Sequence, residues 1–152
     1  MPMLRGTAHW AKILGDPKPA YGDTHNEWSV DVSIDEATVK QLTEQGVAHK
    51  IRNKDDHRGN FVTFRRKELK ANGDPAARIA VVGPDRKPWD QTVLLGNGTI
   101  VNVKYVINEG DLPKPWKRPD ILALQVAELV PYGDGEDFPE YETDENGAEN
   151  WG

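Results

Sequence analysis

Apolar and polar residues alternate most cleanly along Trp28-Ser29-Val30-Asp31-Val32-Ser33-Ile34. A period of two puts Trp28, Val30, Val32 and Ile34 on one face and Ser29, Asp31 and Ser33 on the other, the pattern of a half-buried strand. Thr99 to Asn108 repeats it, with Val101, Val103, Tyr105 and Ile107 opposed to Asn102 and Lys104. In Ile121 to Val130, Leu122, Leu124 and Val126 oppose Ala123, Gln125 and Ala127. Leu4 to Leu14, closed by the turn signal Gly15-Asp16-Pro17, and Arg78 to Val82 add two further strands. Val47 to Lys54 and Asn60 to Lys67 flank the polar turn Asp55-Asp56-His57-Arg58-Gly59 and together read as a hairpin. The alternation yields once to a helical pattern. Asp35 offers an N-cap, Val39 and Leu42 stand three apart and Gly46 supplies a stop, so the spacing predicts a short helix over 36–45 that plugs one end of a barrel.

Beyond Pro131 the alternation ends, which divides the chain into a folded body, 1–132, and a tail, 133–152. At 152 residues, with 37% hydrophobic residues, 14 Gly and 11 Pro, the body can close one modest core built of short strands and turns. Many strands and one short helix make the class mainly β.

Charge changes the picture only when it is divided the same way. The net charge of -6 argues against nucleic acid, whose phosphates are bound by Lys and Arg. The tail, however, holds eight acids (Asp134, Glu136, Asp137, Glu140, Glu142, Asp144, Glu145, Glu149) and no Lys or Arg. That leaves 17 acids against 19 bases in residues 1–132, an excess of about +2 beside a tail of -8. The chain has no cysteine, so disulfides and thiolate metal sites are excluded. It shows neither a leader-like N-terminal pattern nor a run of ~18 apolar residues, so a soluble, intracellular protein without a membrane span is expected.

The strongest candidate chemistry lies in the predicted hairpin. Phe61-Val62-Thr63-Phe64-Arg65-Arg66-Lys67 interleaves rings with cations, and Lys50, Arg52, Lys54 and Arg58 precede it. A binder of single strands needs cations along the sugar-phosphate path and π faces for unstacked bases. Alternation puts Phe61, Thr63, Arg65 and Lys67 on one face, so that one Phe can be core while the other is exposed for a base, the alternative being two core Phe in a solvated hairpin, and it also gathers Lys50, Arg52 and Lys54 on one face. Basic edge strands equally serve as protection against edge-to-edge pairing, and the residues alone leave both readings open. Trp89 and Trp116 sit in basic, Pro-rich loops, Arg86-Lys87-Pro88-Trp89 and Lys114-Pro115-Trp116-Lys117-Arg118, where a ring either caps the core or stacks a base. Lys104, Lys117 and Tyr105 complete the candidate nucleic-acid contacts.

Other motifs carry less. Gly96-Asn97-Gly98-Thr99 reads as a turn or bulge, because the lysine and helix of a phosphate-binding loop are missing. The four His residues show no metal-ligand spacing, and no catalytic triad or carboxylate pair stands out. No cofactor, metal or catalytic residue is therefore expected. Asp55, Asp56 and His57 are the slender basis for a metal-dependent nuclease, and adjacent turn residues point apart. In the tail, Phe138, Tyr141 and Trp151 stand among Asp134, Glu136, Asp137, Asp144 and Glu145, the make-up of either a solubilising end or a partner-docking peptide.

Three stretches in order, Leu4-Arg5-Gly6-Thr7-Ala8, Leu94 to Tyr105 and Leu122 to Phe138, carry a resemblance to the phage single-stranded DNA-binding proteins. The resemblance implies a five-stranded, partly open oligonucleotide/oligosaccharide-binding (OB) barrel with an acidic tail. It also implies protection of single-stranded DNA with little sequence preference, during phage DNA replication, recombination or repair in the cytoplasm of the infected bacterial host. The tail would then cover the groove or dock replication proteins such as a polymerase or helicase, and a homodimer is left open. The ending Trp151-Gly152 departs from the Phe more usual in such tails. A small β-rich phage structural or adaptor protein, using its acidic tail for protein contacts, is the alternative.

Overall fold

The computed structural model describes residues 2–20, 25–70 and 72–131 of the chain. Among them are seven strands and one α-helix: β1 (Met3–Lys12), β2 (Lys18–Pro19), β3 (Asn26–Ser33), α1 (Glu36–Glu44), β4 (Phe61–Lys67), β5 (Ala80–Val82), β6 (Thr99–Gly110) and β7 (Trp116–Glu128). The alternation of β3 is realised directly, with Trp28, Val30 and Val32 buried and the residues between them turned outward. Val101, Val103 and Tyr105 of β6 do the same.

The strands form one curled antiparallel sheet in the order β2-β3-β1-β6-β7-β5, with β4 on the far side of β3 and β5 joined to β7 in parallel. The five long strands wrap one core and leave a seam between β4 and β7, which is the expected OB-like, partly open barrel. Arg66 of β4 crosses the seam, donating to the carbonyls of Ala77 (3.0 Å) and Ile121. Gly6 lets β1 pass close to β3, since a Cβ there would overlap the Ser33 carbonyl oxygen and stand 2.6 Å from Val32 Cγ1.

The helix begins as expected, with the Asp35 carboxylate accepting from the Thr38 N–H at 2.8 Å. Gly46 follows its end at φ +82, a left-handed conformation that glycine adopts freely. Leu42 enters the core, while Gln41 donates to the Tyr105 hydroxyl at 2.7 Å and that hydroxyl donates to Gln45 at 2.6 Å. In this way α1 closes the barrel end where Tyr105 lies.

Three expectations fail. Val47 to Lys54 is not a strand: the chain leaves α1 in a 3-10 turn, Ala48–Lys50, and only Arg52 pairs, in an isolated bridge to Phe61. The partner of β4 is β3, with Glu27 opposite Lys67 and Ser33 opposite Phe61. Phe61 and Phe64 are both buried, Phe64 in the core and Phe61 on the opposite face under the Arg58 guanidinium. Leu122 does not share a face with Leu124, because β7 gains a residue between the partners of Lys104 and Tyr105 and turns Ile121 inward instead.

Gly6→Ala is expected to lower stability by about 1–3 kcal/mol, because backbone of β3 must retreat to admit the methyl group. Urea unfolding measures this, and an unchanged midpoint would show that β1 and β3 do not approach as described.

Candidate nucleic-acid interface

The seam between β4 and β7 opens into a groove of about 1150 Å³. Seven Lys and Arg residues line it (Lys50, Arg52, Arg65, Arg66, Lys67, Lys70 and Arg118), against the carboxylates of Glu27 and Asp120. They arrive from four segments: the 3-10 turn and its exit, β4, the loop after it, and β7. Outward residues of β4 set Arg65 and Lys67 on one side, while Val106 and Leu122 supply an apolar part beside Arg118. Arg65 meets Glu27 at 3.5 Å yet keeps 57% of its side chain exposed, so its charge stays available to an anion. Arg118 is likewise exposed while bonding Asp120 at 2.9 Å, and its guanidinium lies 4.7 Å from the ring of Trp116. The ring rests on Gly110, where there is no room for a Cβ, at the end of the β6–β7 hairpin.

Of the residues picked from the sequence, the groove gathers Lys50, Arg52, Arg65 and Lys67. Trp116 and Lys117 do not line it: Trp116 reaches its lip only through its contact with Arg118, and the Lys117 carbonyl is bonded to His49 at 2.9 Å. Lys54 lies exposed in the Asn53–Asn60 loop and Lys104 opposite Met3, both away from the groove. Tyr105 is fully buried with its hydroxyl bonded at both sides, so no base can lie on it. Trp89 is packed against the core and donates its indole N–H to the Val93 carbonyl at 2.8 Å, the core-capping alternative. The tail candidates Asp134, Glu136, Asp137, Phe138, Tyr141, Asp144, Glu145 and Trp151 lie outside the described residues.

Arg58 has a different task. The Asn53–Asn60 loop folds back over the outer face of β1 and β3, and Arg58, its side chain 8% exposed, bonds Asp31 at 2.7 Å and also Asp56 through the guanidinium. It covers the Phe61 ring at 4.0 Å and faces Trp10 at 4.6 Å. Both carboxylates neutralise it, which holds Asp56 far below the usual carboxylate range and leaves Arg58 little to offer a phosphate. Asp56 thus serves Arg58, and Asp55 and His57 do not converge with it into a metal-binding group. Under the loop His9 is buried, with His57 edge-on at 5.1 Å and no partner on Nδ1.

Sequence reasoning missed Arg66, Lys70, Arg118, His25 and His49. Arg118 stood in a run already singled out for Trp116 and Lys117, and alternation from Trp116 would have paired it with that ring. Arg66 reaches the groove because β4 is an edge strand, and Lys70 from the loop that follows it, both of which depend on topology.

No protein-family model and no curated protein sequence matches the chain. Solved structures do match in fold. The chain aligns with gp2.5, a single-stranded DNA-binding protein encoded by bacteriophage T7, with a TM-score of 0.62 over 97% of both chains at 18% identity. It aligns with the single-stranded DNA-binding protein of bacteriophage Enc34, in complex with single-stranded DNA, with a TM-score of 0.59 over 86% of this chain and 87% of that one at 9% identity. A second structure of the Enc34 single-stranded DNA-binding protein gives 0.53 at 13% identity, covering 88% of this chain and 86% of that one. The barrel is therefore of the class that these phage proteins share.

Burial, then the nearby His57 and Arg58 charges, lower the pKa of His9 below the ordinary histidine value of about 6.5. The folded protein then binds fewer protons than the unfolded chain just below that pH, so stability is full above it and is lost as pH falls through it. The melting temperature of the wild type should fall between about pH 7.5 and pH 5.5, and His9→Gln should flatten the decline. An equal decline in both would place the titrating group elsewhere.

Proposed function

We propose that the chain is a phage-type single-stranded DNA-binding protein, non-enzymatic, which holds the strand in the β4–β7 groove with little preference for sequence. One observation carries the reading: cations from four chain segments converge on the open seam of an OB-like barrel. Their number along the groove suits a polyanion, and the apolar stretch beside them suits the faces of unstacked bases. Phosphate contacts come from Lys50, Arg52, Arg65, Lys67, Lys70 and Arg118, with Trp116 at the lip offering a ring to one base. The similar phage proteins are described as single-stranded DNA-binding, one of them in complex with that ligand, which supports the same role here. Work of this kind belongs to replication, recombination or repair of phage DNA in the host cytoplasm.

The tail takes a regulatory part in this proposal. Tethered to a body with an excess of about +2, a segment of -8 reaches an effective concentration near the millimolar range and competes for the same cations. DNA then displaces it, which frees its acidic and aromatic residues to dock a replication protein.

Binding of labelled oligo(dT) should weaken as salt rises, and the double change Arg65→Ala and Lys67→Ala should flatten the slope of log K against log salt by about 0.7 for each lost contact. A slope that stays the same would move the strand out of this groove. Removing residues 133–152 should tighten binding, most at low salt where screening is weak. Equal affinity of the shortened and full chains at low and high salt would leave the tail a docking or solubilising role only.

A further inference from the structure

Trp10 is displayed where most tryptophans would be hidden. It is 47% exposed, and its backbone φ of +48 lies in the left-handed region that bulky residues rarely enter. The cause is an extra residue in β1: from His9 opposite Asp31 to Lys12 opposite Ser29, β1 takes three steps and β3 takes two. Such a bulge re-aims a side chain. The Trp10 N–H donates to Asn97 Oδ1 at 2.7 Å, tying the strained backbone to the Gly96–Gly98 turn. A glycine would adopt this φ at less cost, and a half-exposed indole gains only part of the burial energy it offers. Burial therefore accounts for only part of the indole, and its exposed half adds nothing to the fold.

The ring is braced. The Arg58 guanidinium lies 4.6 Å from its centroid and the His57 ring stands edge-on at 6.2 Å, while Asp31 and Asp56 fix Arg58 in turn. The position is also telling. His9, Asp31 and Thr63 lie side by side on β1, β3 and β4, and Thr63 lines the groove. At ~4.8 Å per strand, the backbone of β1 beside Trp10 stands roughly 10 Å from Thr63, with the Arg58 side chain over Asp31 between them. A barrel of this class holds about 4–16 nucleotides, so a strand leaving the groove past Thr63 comes within reach of the indole.

We propose that Trp10 is a base-stacking residue at one end of the strand's path, held in place by Arg58 and the bulge. The inference rests on the single-stranded DNA reading above. Every base has a π face, so the contact adds affinity without sequence preference. Arg58, neutralised by two carboxylates, acts as a positioning residue and not as a phosphate contact.

The test uses the full chain and a series of labelled oligo(dT) lengths over a range of salt. Trp10→Ala should weaken binding to the longer oligomers roughly five- to 150-fold with the salt slope unchanged, because stacking releases no counterions. Trp10→Phe should keep most of the affinity. Trp10→Gly relieves the φ strain and should melt no lower than Trp10→Ala while binding as poorly, which separates lost stacking from unfolding. On oligomers too short to span the groove and Trp10, wild type and Trp10→Ala should bind alike. If the wild type binds, the change at Arg65 and Lys67 weakens it, and Trp10→Ala binds as tightly as wild type at every length, this inference is wrong while the groove stands. A flatter salt slope for Trp10→Ala would equally overturn it, since the indole would then be acting through cations. Failure of the wild type to bind oligo(dT) at all would instead remove the DNA-binding reading itself.

Discussion

The seam between β4 and β7 is the constraint on which the rest depends. Beyond the parallel pairing of β7 with the short β5 and the pairing of β4 with β3, these two long strands face one another without a ladder. Arg66 bridges the gap through two backbone carbonyls. A guanidinium suits this place because its planar fork serves two acceptors at once and stays charged despite partial burial. An apolar residue in its stead would leave the Ile121 and Ala77 carbonyls without that donor, and a ladder would close the groove. The barrel is thus held together across its opening by the same type of residue that lines it.

Two arginines on neighbouring segments show how surroundings decide the use of a charge. Arg58 has two carboxylates within bonding distance and almost no exposed surface, and pulling it away would leave Asp31 and Asp56 unpaired on the outer face. Arg65 has one loose partner at 3.5 Å and more than half its side chain in water. Exchanging that partner for a phosphate costs little, since exposed pairs contribute at most about 1 kcal/mol. The division into a latch and a set of spare cations lies in these pairings and not in composition.

Much of the barrel was legible because its long strands are buried on one face. Trp28, Val30 and Val32, or Val101, Val103 and Tyr105, announce themselves by period two, and Asp35 and Gly46 mark the helix by the hydrogen bond one accepts and the φ the other adopts. The segment Val47 to Lys54 misled because Lys50, Arg52 and Lys54 imitate alternation with charge alone, whereas local bonds, Lys50 N–H to Val47 and Ile51 N–H to Ala48, satisfy its backbone in a turn. Losing that strand changed the site more than the fold. Lys50 and Arg52 still reach the groove, but Lys54 and Arg58 leave with the loop, and the true partner of β4 lies about thirty residues away in sequence. The bulges at Trp10 and Leu122 depend on how strands of unequal length share a register, which no single segment records.

Arg65 and Lys67 admit two readings on their own, because a strand at an open edge must be kept from pairing with other chains and cations do this well. Edge protection, however, asks only that charge lie on the edge strand itself. It does not require Lys50 and Arg52 at the exit of a 3-10 turn, Lys70 in the following loop, or Arg118 on the facing strand, all turned to one groove. Placing like charges together from separate segments costs repulsion that the folded protein must absorb, and Glu27, Asp120, solvent and salt relieve only part of it. Nothing in the packing of the core returns that cost, since the groove-lining cations Arg65, Lys67, Lys70 and Arg118 lie outside the buried cluster. In the proposed reading a polyanion laid along the seam returns it, by replacing repulsion with phosphate contacts and releasing counterions. Convergence of charge from across the chain, more than its amount, is what favours the proposed binding groove over a guarded edge.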